Sequence, residues 1–529
     1  MKKLITQSGK LFTLALGITM FTGGISAFAS GKITTEQTNQ VVEAIALETE
    51  KNHEENTEHA HETEEIVVQG LEDVTLSKIE TIGRSTAICP GYNHSWDMIK
   101  TIQKPTCGRE GIWKLQCSVC NLTALTFSEV YEHNYVDGLC INCGDGIAPA
   151  SEINKWNYTL DETAQTITLT QYIGTPTDVI VYGKFKLNDI TYSTILNGGN
   201  APSDSPFYSK RGSLLSIKIN PGVTSYNCRN LFYECTNITA LDLSFLDTSN
   251  STDMAFMFSS LSKLESLDIS SLNTSNVTNM QGMFNGCVKM TAFDVSSFDT
   301  SNVTNMQSIF NYCHALETLD LTSFNTSNVL NMISMFGTCR ALTQVDLSSF
   351  DTSSATRMTG MFINAKNITS LDLSSFNTSN VNNMELMFSG CESLTSLDLS
   401  SFNTSRVTTM LNMFQNCKNL TSLTLDSFNT SNVNTMESMF SGCESLTSLA
   451  LTSFNTSNVS NMAYMFQNCK NLTTLDLSSF MTSNVDTMQQ MFYSCSKLST
   501  IYVSRNWNSS FANITDMFTG CKASNITLK

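Results

Sequence analysis

The stretch Leu420–Cys443, LTSLTLDSFNTSNVNTMESMFSGC, is one copy of a unit that recurs every 26 residues in the second half of the chain. Ten copies end in a cysteine, at Cys235, Cys287, Cys313, Cys339, Cys391, Cys417, Cys443, Cys469, Cys495 and Cys521. Leu261 and Ala365 end the other two copies. A phenylalanine stands three residues earlier in every copy, at Phe232, Phe258, Phe284, Phe310, Phe336, Phe362, Phe388, Phe414, Phe440, Phe466, Phe492 and Phe518. Constant spacing predicts one unit stacked on itself, because so small a unit needs its neighbours to bury its apolar side.

The first part of each unit has the pattern of a strand. Apolar residues follow the cysteine at three, six and eight residues, as Leu394, Leu397 and Leu399 follow Cys391. The last two alternate with polar residues, which predicts a short strand with one buried face. Since the strand returns in the same direction in every unit, we expect a parallel, in-register sheet. All seven prolines stand at or before Pro221, which agrees with a stack in which a missing amide donor would break the repeat.

The second part of each unit has helical spacing. Thr378–Asn380 is typical of a helix start, because Thr, Ser and Asn side chains accept hydrogen bonds from first-turn amides. Apolar residues then follow at steps of three and four, at Val381, Met384, Met387, Phe388 and Cys391. That spacing predicts one face of a short helix. The sequence therefore predicts an α/β repeat solenoid, a leucine-rich-repeat-like stack of 26-residue strand/short-helix units with a parallel β-sheet.

The phrase LDLSSFNTSNV, which begins at Leu371, and the Met-Phe-x-x-Cys that follows it resemble the repeats of BspA-like leucine-rich repeat surface proteins of Gram-positive, Firmicutes-type bacteria. The resemblance spans about residues 214–529. It implies a secreted or cell-surface binding protein, adhesin-like, whose solenoid face recognises a host or bacterial surface protein.

The rest of the chain divides into four predicted segments. Residues 1–29 have a basic start, an apolar stretch and Ala27-Phe28-Ala29 before Ser30, which is typical of a secretory signal peptide. The alternative is an uncleaved membrane anchor; after cleavage we expect no membrane insertion. Residues 30–85 are rich in acids and, as far as residue 80, free of aromatic residues, which predicts a disordered spacer. Residues 86–150 form a small Cys/His module, residues 151–213 a β-rich cap, and residues 214–529 the solenoid.

The Cys/His module predicts a structural zinc site. Two CxxC pairs, Cys117 with Cys120 and Cys140 with Cys143, have the spacing of a four-thiolate zinc centre. His94, Cys107 and His133 are reserve ligands. The arrangement resembles small zinc-ribbon-like modules appended to surface proteins. The alternative is a disulfide framework, because exported thiols can oxidise.

The repeat cysteines have three possible roles: a disulfide ladder, a metal site or filling of the core. Leu261 and Ala365 stand where other units have cysteine, and neither can bind metal or form a disulfide. This substitution pattern favours core filling, since cysteine packs as a small apolar group. The regularly spaced methionines are interpreted in the same way.

A row of aspartates, the Asp lane, is the main candidate binding site. Its members occupy the position seven residues after the cysteine position: Asp242, Asp268, Asp294, Asp320, Asp346, Asp372, Asp398 and Asp476. Alternation along the strand points them outward, onto a presumed concave face, with neighbours about 5 Å apart. Such crowding of like charges favours bound cations, calcium among them, or raised carboxyl pKa values. The alternative is a solvated face whose acids hydrogen-bond the flanking Ser and Thr hydroxyls.

The composition limits the classes of function that the chain could have. The net charge of −17 argues against nucleic acid or anionic lipid partners. His314 is the last histidine, and no Ser/His/Asp set or phosphate loop interrupts the repeats, so we expect no enzyme. The alternatives to a binding protein are a structural, self-associating envelope protein and a glycan hydrolase on a repeat scaffold. The last unit leaves a strand edge in residues 500–529 that predicts weak end-to-end self-association.

Overall fold

The computed structural model describes residues 145–510 and 512–529 in full and, before them, five strand segments between Trp96 and Cys140. The chain divides into two compact units, Met1–Gly144 and Asp145–Lys529. The first unit contains two antiparallel sheets. One has the order β1–β2–β3 and the other is the hairpin β4–β5. The strand bounds are β1 Trp96–Gln103, β2 Ile112–Cys117, β3 Thr123–Phe127, β4 Tyr135–Val136 and β5 Leu139–Cys140.

The second unit begins with the β-rich segment predicted to cap the stack. Its strands are β6 Trp156–Asp161, β7 Thr166–Tyr172, β8 Asp178–Val181, β9 Lys184–Leu187 and β10 Ile190–Ile195, and its 3-10 helices are Glu152–Lys155, Pro202–Asp204 and Tyr208–Lys210. The segment is continuous with the repeats, because β8 pairs in parallel with β11 (Ser216–Ile219) and β10 with β12 (Val223–Thr224).

The predicted parallel solenoid is confirmed. Strand β13 (Ala240–Asp242) continues the sheet of β8 and β11, and β14 (Leu246–Asp247) continues the sheet of β12. Two further pairs come from consecutive repeats: β15 (Ser396–Asp398) with β16 (Ser422–Thr424), and β17 (Thr474–Leu477) with β18 (Thr500–Val503). Strand β19 (Thr527–Leu528) adds to β18. A second column of single parallel bridges, 26 residues apart, runs from Asp253 to Asn513.

The structure differs from the prediction in one detail, because the segment with helical spacing forms a column of turns. In the rung that contains Phe388, three amides bond the carbonyl three residues back: Met387 to Met384, Ser389 to Leu386, and Cys391 to Phe388. The alternate amides bond the next rung instead, and Leu386, Phe388 and Gly390 donate to the carbonyls of Leu411, Met413 and Gln415 at 3.0, 3.0 and 2.7 Å. Hydrogen bonds between rungs therefore replace the i to i−4 bonds of a helix.

The threonine that resembled a helix cap is buried and also joins neighbouring rungs. Thr378 is fully buried. Its hydroxyl donates to the carbonyl of Asn403 at 3.0 Å and accepts from the Asn403 amide at 2.9 Å. Buried threonines recur at the same place in the rungs, at Thr248, Thr274, Thr300, Thr326, Thr352, Thr404, Thr430, Thr456 and Thr482. At this corner, the threonine hydroxyls thus supply hydrogen-bond partners to backbone amides and carbonyls of the next rung.

The core of the stack is a column of phenylalanine rings. Thirteen rings, from Phe207 of the cap through Phe232 to Phe518, stack with centroids 5.5–6.2 Å apart. Most rungs have methionines seven and four residues before the cysteine position, and these are buried beside the rings, as Met384 and Met387 are. Each ring between the two ends of the column is therefore covered by the rungs on both sides, which is why a single unit could not fold alone.

The structure supports core filling for the repeat cysteines. Nine of the ten are at most 1% exposed, Cys521 is half-buried, and none forms a disulfide. Most donate a hydrogen bond to the carbonyl of the phenylalanine 29 residues earlier, as Cys391 Sγ does to Phe362 O at 3.3 Å. Burial raises the pKa of Cys287 and Cys417 to about 12. The thiols are therefore neutral donors rather than nucleophiles or thiolate ligands.

Candidate binding faces of the solenoid

The Asp lane lies on the strand side of the solenoid, as predicted. Six of its members are exposed, and Asp242 and Asp476 are half-buried. The carboxylate of each member accepts a hydrogen bond from the Ser or Thr two residues later in the chain. Asp268 accepts from the Ser270 hydroxyl at 2.7 Å, and Asp372 accepts from the Ser374 amide at 3.0 Å. The carboxylates therefore close tight turns at the ends of their own strands.

These hydrogen bonds outweigh the repulsion between neighbouring acids. The amide and hydroxyl of Ser348 lower the pKa of Asp346, although Asp320 and Asp372 act to raise it. Ser374 lowers the pKa of Asp372 in the same way. At these positions the geometry matches the hydroxyl-bonded alternative rather than the raised pKa values that crowding alone would produce.

Asp476 differs from the rest of the Asp lane because it has a cationic partner. Its carboxylate accepts from Lys529 Nζ at 2.6 Å and from the Ser478 amide at 3.0 Å. The Lys529 ammonium, followed by Ser478, lowers the pKa of Asp476 to about 2. Because Lys529 follows β19 directly, this contact ties the last strand to a rung that β19 does not touch.

The opposite side of each rung, formed by the turns, is a second face that sequence reasoning missed. We call it the turn face and define it by the residues six, five, two and one places before each cysteine position, which are Glu385, Leu386, Ser389 and Gly390 in one rung. The residues at these places differ from rung to rung, whereas the buried positions hardly change. The repeated Gly or Asn directly before the cysteine, as in Gly390 and Asn416, could have revealed it.

Two positions of every rung on the turn face have a left-handed backbone. The residues five places before the cysteine position have φ of +50° to +60°, and those one place before have φ of +55° to +77°. Glycine adopts this conformation without strain, and Gly282, Gly360 and Gly390 do so here. Bulky residues there are strained. Nevertheless, five rungs carry a large or charged side chain at the first position: Phe256, Leu386, Tyr464, Gln490 and Asp516.

A row of alternating charges borders the turn face. Glu392 pairs with Lys366 at 2.7 Å and with Lys418 at 2.8 Å, and Lys470 pairs with Glu444 at 2.9 Å. The two lysines lower the pKa of Glu392 through their hydrogen bonds. Each pair joins adjacent rungs, so the row supports their register.

The predicted zinc ligands lie largely outside the described residues. Cys117 is the last residue of β2, and Cys140 is buried in β5, opposite Tyr135. His94, Cys107, Cys120, His133 and Cys143 are not among the residues that the structure describes, so the zinc site stays a prediction. Within the described part of the chain, no group of three or more His, Cys, Asp or Glu side chains could hold a metal ion. In that same part no helix has the length and apolarity needed to cross a membrane.

A family model described as "Mycoplasma protein of unknown function, DUF285" matches residues 226–345, 316–424, 339–448 and 412–529. Together these matches cover residues 226–529, more than half of the chain. The chain belongs to the DUF285 family. The DUF285 matches begin within the repeat that ends at Cys235 and extend to residue 529, so they cover nearly all of the solenoid. No curated protein matches the chain.

Several solved structures are similar to this DUF285 chain. One is a leucine rich cell surface protein from Faecalibacterium prausnitzii, with 17% identity, coverage of 68% of this chain and 96% of that one, and a TM-score of 0.39. Another is a leucine-rich repeat protein from Eubacterium ventriosum, with 16% identity, coverage of 60% and 94%, and a TM-score of 0.24. A third is the functional domain of InlJ from Listeria monocytogenes, described as including a cysteine ladder, with 16% identity, coverage of 59% and 61%, and a TM-score of 0.17.

Proposed function

We propose that this DUF285 protein is a secreted or cell-surface binding protein, adhesin-like, that recognises a protein or cell-surface partner through its solenoid. One observation carries the proposal. The rungs repeat the same buried side chains, such as Phe388 and Phe414, while the residues of the turn face, most of them half-buried, change from one rung to the next. Packing explains the uniform positions. It does not explain the variable ones, and a rigid stack with a varied surface suits an extended binding face.

The export of the protein is part of this proposal and rests on the sequence of residues 1–29. A full-length chain expressed in a Gram-positive host should be recovered from the medium or the cell wall and begin at Ser30. Recovery of the protein with residues 1–29 intact and only in the membrane fraction would support the uncleaved anchor instead.

The Asp lane is a second part of the proposal, as a surface for a cationic partner or calcium. The double variant Asp372→Asn and Asp398→Asn removes two neighbouring charges of the lane. The matched control, Asp299→Asn with Asp351→Asn, removes two exposed acids that lie elsewhere on the rungs. Because no three acidic side chains of the described residues converge on one point, calcium would bind weakly between pairs of lane carboxylates. Titration by calorimetry should show this binding weakened further in the lane variant and retained in the control. Equal behaviour of the two variants would reject a role for the lane.

A screen of the full chain against host matrix proteins and whole cells tests the proposal as a whole. We expect saturable binding to a partner that is not the chain itself. Binding only to further copies of the chain would favour the structural, self-associating alternative. Hydrolysis of any glycan would overturn the expectation that the protein is not an enzyme.

Structural zinc in residues 86–150 completes the proposal. Metal analysis of protein purified without chelator should give about one zinc per chain, as expected for one tetrahedral site. The variant Cys117→Ser with Cys120→Ser should lose the metal, whereas Cys287→Ser, at a buried repeat cysteine, should retain it. Oxidised cysteines without metal would support the disulfide framework.

A further inference from the structure

Near the C-terminal end of the turn face, two tyrosines flank a pair of glutamines on adjacent rungs. Tyr464 and Gln467 belong to one rung, and Gln490 and Tyr493 occupy the corresponding places of the next. We call these four residues the Tyr–Gln platform. All four side chains are partly exposed.

Hydrogen bonds fix the centre of the platform. Gln467 Nε2 donates to Gln490 Oε1 at 2.8 Å, and Gln467 Oε1 accepts from the Ser441 hydroxyl at 3.4 Å. The backbone beneath is equally fixed, because the Tyr464 amide donates to the Gln489 carbonyl at 2.9 Å and the Asn468 amide to the Tyr493 carbonyl at 2.8 Å. The polar groups between the two rings are therefore pre-organised before any ligand arrives.

The two tyrosine rings differ from the other aromatic residues of the turn face. Tyr233 packs edge-on against Phe256 at 6.4 Å, and Tyr312 against His314 at 5.9 Å. Among the described residues, Tyr464 and Tyr493 contact no other ring, and neither hydroxyl forms a hydrogen bond. Two partly exposed tyrosine rings and several donors and acceptors thus lie together at this part of the turn face.

The backbone at Tyr464 is left-handed, as it is at the same place in every rung. Its φ is +60°, at a place where Gly282 and Gly360 stand in other rungs without strain. A bulky residue there is held at a cost in stability, so replacing Tyr464 by glycine removes the ring without straining the backbone. Gln490 occupies the same strained place in the next rung, with φ of +52°.

From this geometry we infer that the Tyr–Gln platform is a binding subsite for a neutral oligosaccharide. One side of a pyranose ring presents C–H groups, which pack against the electron-rich face of an aromatic ring. Amide side chains provide both donors and acceptors for sugar hydroxyls. The platform has no basic side chain, and the chain carries a net charge of −17, so an acidic glycan would be repelled. The inference rests on the proposed function, since it names the ligand class of one part of the binding scaffold.

An array of neutral and acidic glycans, probed with the full chain, tests the ligand class. The neutral glycan that binds best is then titrated by calorimetry against Tyr464→Gly and Tyr493→Ser. The matched control is Tyr312→Gly, which replaces another tyrosine on the same face whose backbone is also left-handed. Because both Tyr→Gly changes relieve strain, their melting temperatures should equal or exceed that of the parent chain.

We expect Kd to rise about 10-fold or more in Tyr464→Gly and Tyr493→Ser and to stay unchanged in Tyr312→Gly. The inference is overturned if no neutral glycan binds, if only acidic glycans bind, or if all three variants behave alike. A chain that binds a protein partner but no glycan would reject the subsite and leave the proposed function intact. A chain that binds neither would reject both.

Discussion

At the scale of single residues, the buried threonine at the corner of each rung does more than fill space. The hydroxyl of Thr378 pairs with both polar groups of the Asn403 backbone, one as acceptor and one as donor. Without it, a partly buried backbone amide and carbonyl would lose their partners together. Such unsatisfied groups cost more than the hydrogen bonds themselves contribute.

Replacing this threonine therefore distinguishes the stability that comes from packing of the side chain from the stability that comes from its hydrogen bonds. Thr378→Val keeps the volume and removes both bonds, and it should lower the free energy of unfolding by about 1–3 kcal/mol. Thr378→Ser keeps the hydroxyl and serves as the control, with a smaller loss. Urea denaturation followed by circular dichroism measures both. If serine and valine destabilise equally, the hydroxyl contributes little.

The phenylalanine column predicts a second contrast at this scale. Phe388→Ala leaves a cavity between two stacked rings and should cost about 3–5 kcal/mol. Cys391→Ala should be mild, because Ala365 occupies the equivalent place in the preceding rung. Thermal melting of the two variants provides the comparison. A greater loss in Cys391→Ala than in Phe388→Ala would contradict the assignment of the cysteines to core filling.

At the scale of the element, the turn column determines which residues each rung tolerates. A Cβ on Gly390 would overlap the side-chain oxygen of Asn364, and the backbone there has φ of +75°. Gly390→Ala should therefore destabilise by about 1–2 kcal/mol. At Leu386, with φ of +60°, the order should reverse, and Leu386→Gly should be more stable than Leu386→Ala by about 1 kcal/mol. Differential scanning calorimetry of the three variants tests this, and an alanine more stable than glycine at residue 386 would contradict the left-handed assignment.

The turn column also shows which parts of the fold could be predicted from the sequence and which could not. The 26-residue period and the alternation of Leu397 and Leu399 predict the parallel stack correctly, because both depend only on which side chains are buried. Apolar steps of three and four fit a helix and a row of turns equally well. Hydrogen bonds to the next rung favour the turns over the helix, and the sequence of a single unit does not reveal these bonds.

The candidate binding face was predictable only in part, for a similar reason. Strand alternation is enough to place the exposed members of the Asp lane, such as Asp372, on the outside. Its chemistry depends on whether Ser374 can turn back to the carboxylate, which is a matter of local backbone geometry. The Tyr–Gln platform combines Tyr464 and Gln490 from different rungs, so neither unit alone indicates it.

At the scale of the whole molecule, the last sheet is tied back by one ion pair. The pKa of Asp476 is about 2 in the folded chain, below its usual 3.8, with Lys529 as the main cause. Stability from this pair is therefore fully present above pH 3.8 and is lost as the pH falls towards 2. Asp476→Asn should melt below the parent at pH 6, and the gap should close over that range. Asp398→Asn, which has no lysine partner among the described residues, is the control and should show a smaller gap at pH 6.

Self-association through residues 500–529 should be weak, as the sequence predicts. The amides of Asp516, Phe518 and Gly520 have no hydrogen-bond partner in the described residues, so this end of the turn column offers donors only. Two such ends cannot pair with each other there. The two-residue strand β19, with Leu528 65% exposed, is left as the contact. Analytical ultracentrifugation should show association only at high concentration, abolished by Leu528→Asp. A strictly monomeric chain would reject it.

The one-way hydrogen bonding of the turn column gives the solenoid an electrical polarity. In the turn column, the alternate amides that bond between rungs all donate to the following rung, so the dipoles of these peptide groups add as they do in an α-helix. The amide end is then slightly positive and the carbonyl end slightly negative. The charges at the two ends suit that field: Arg229 lies on the first rung, and Asp516 occupies the left-handed place of the last. The turn column thus carries a dipole like that of a helix, assembled from the alternate peptide groups of successive turns.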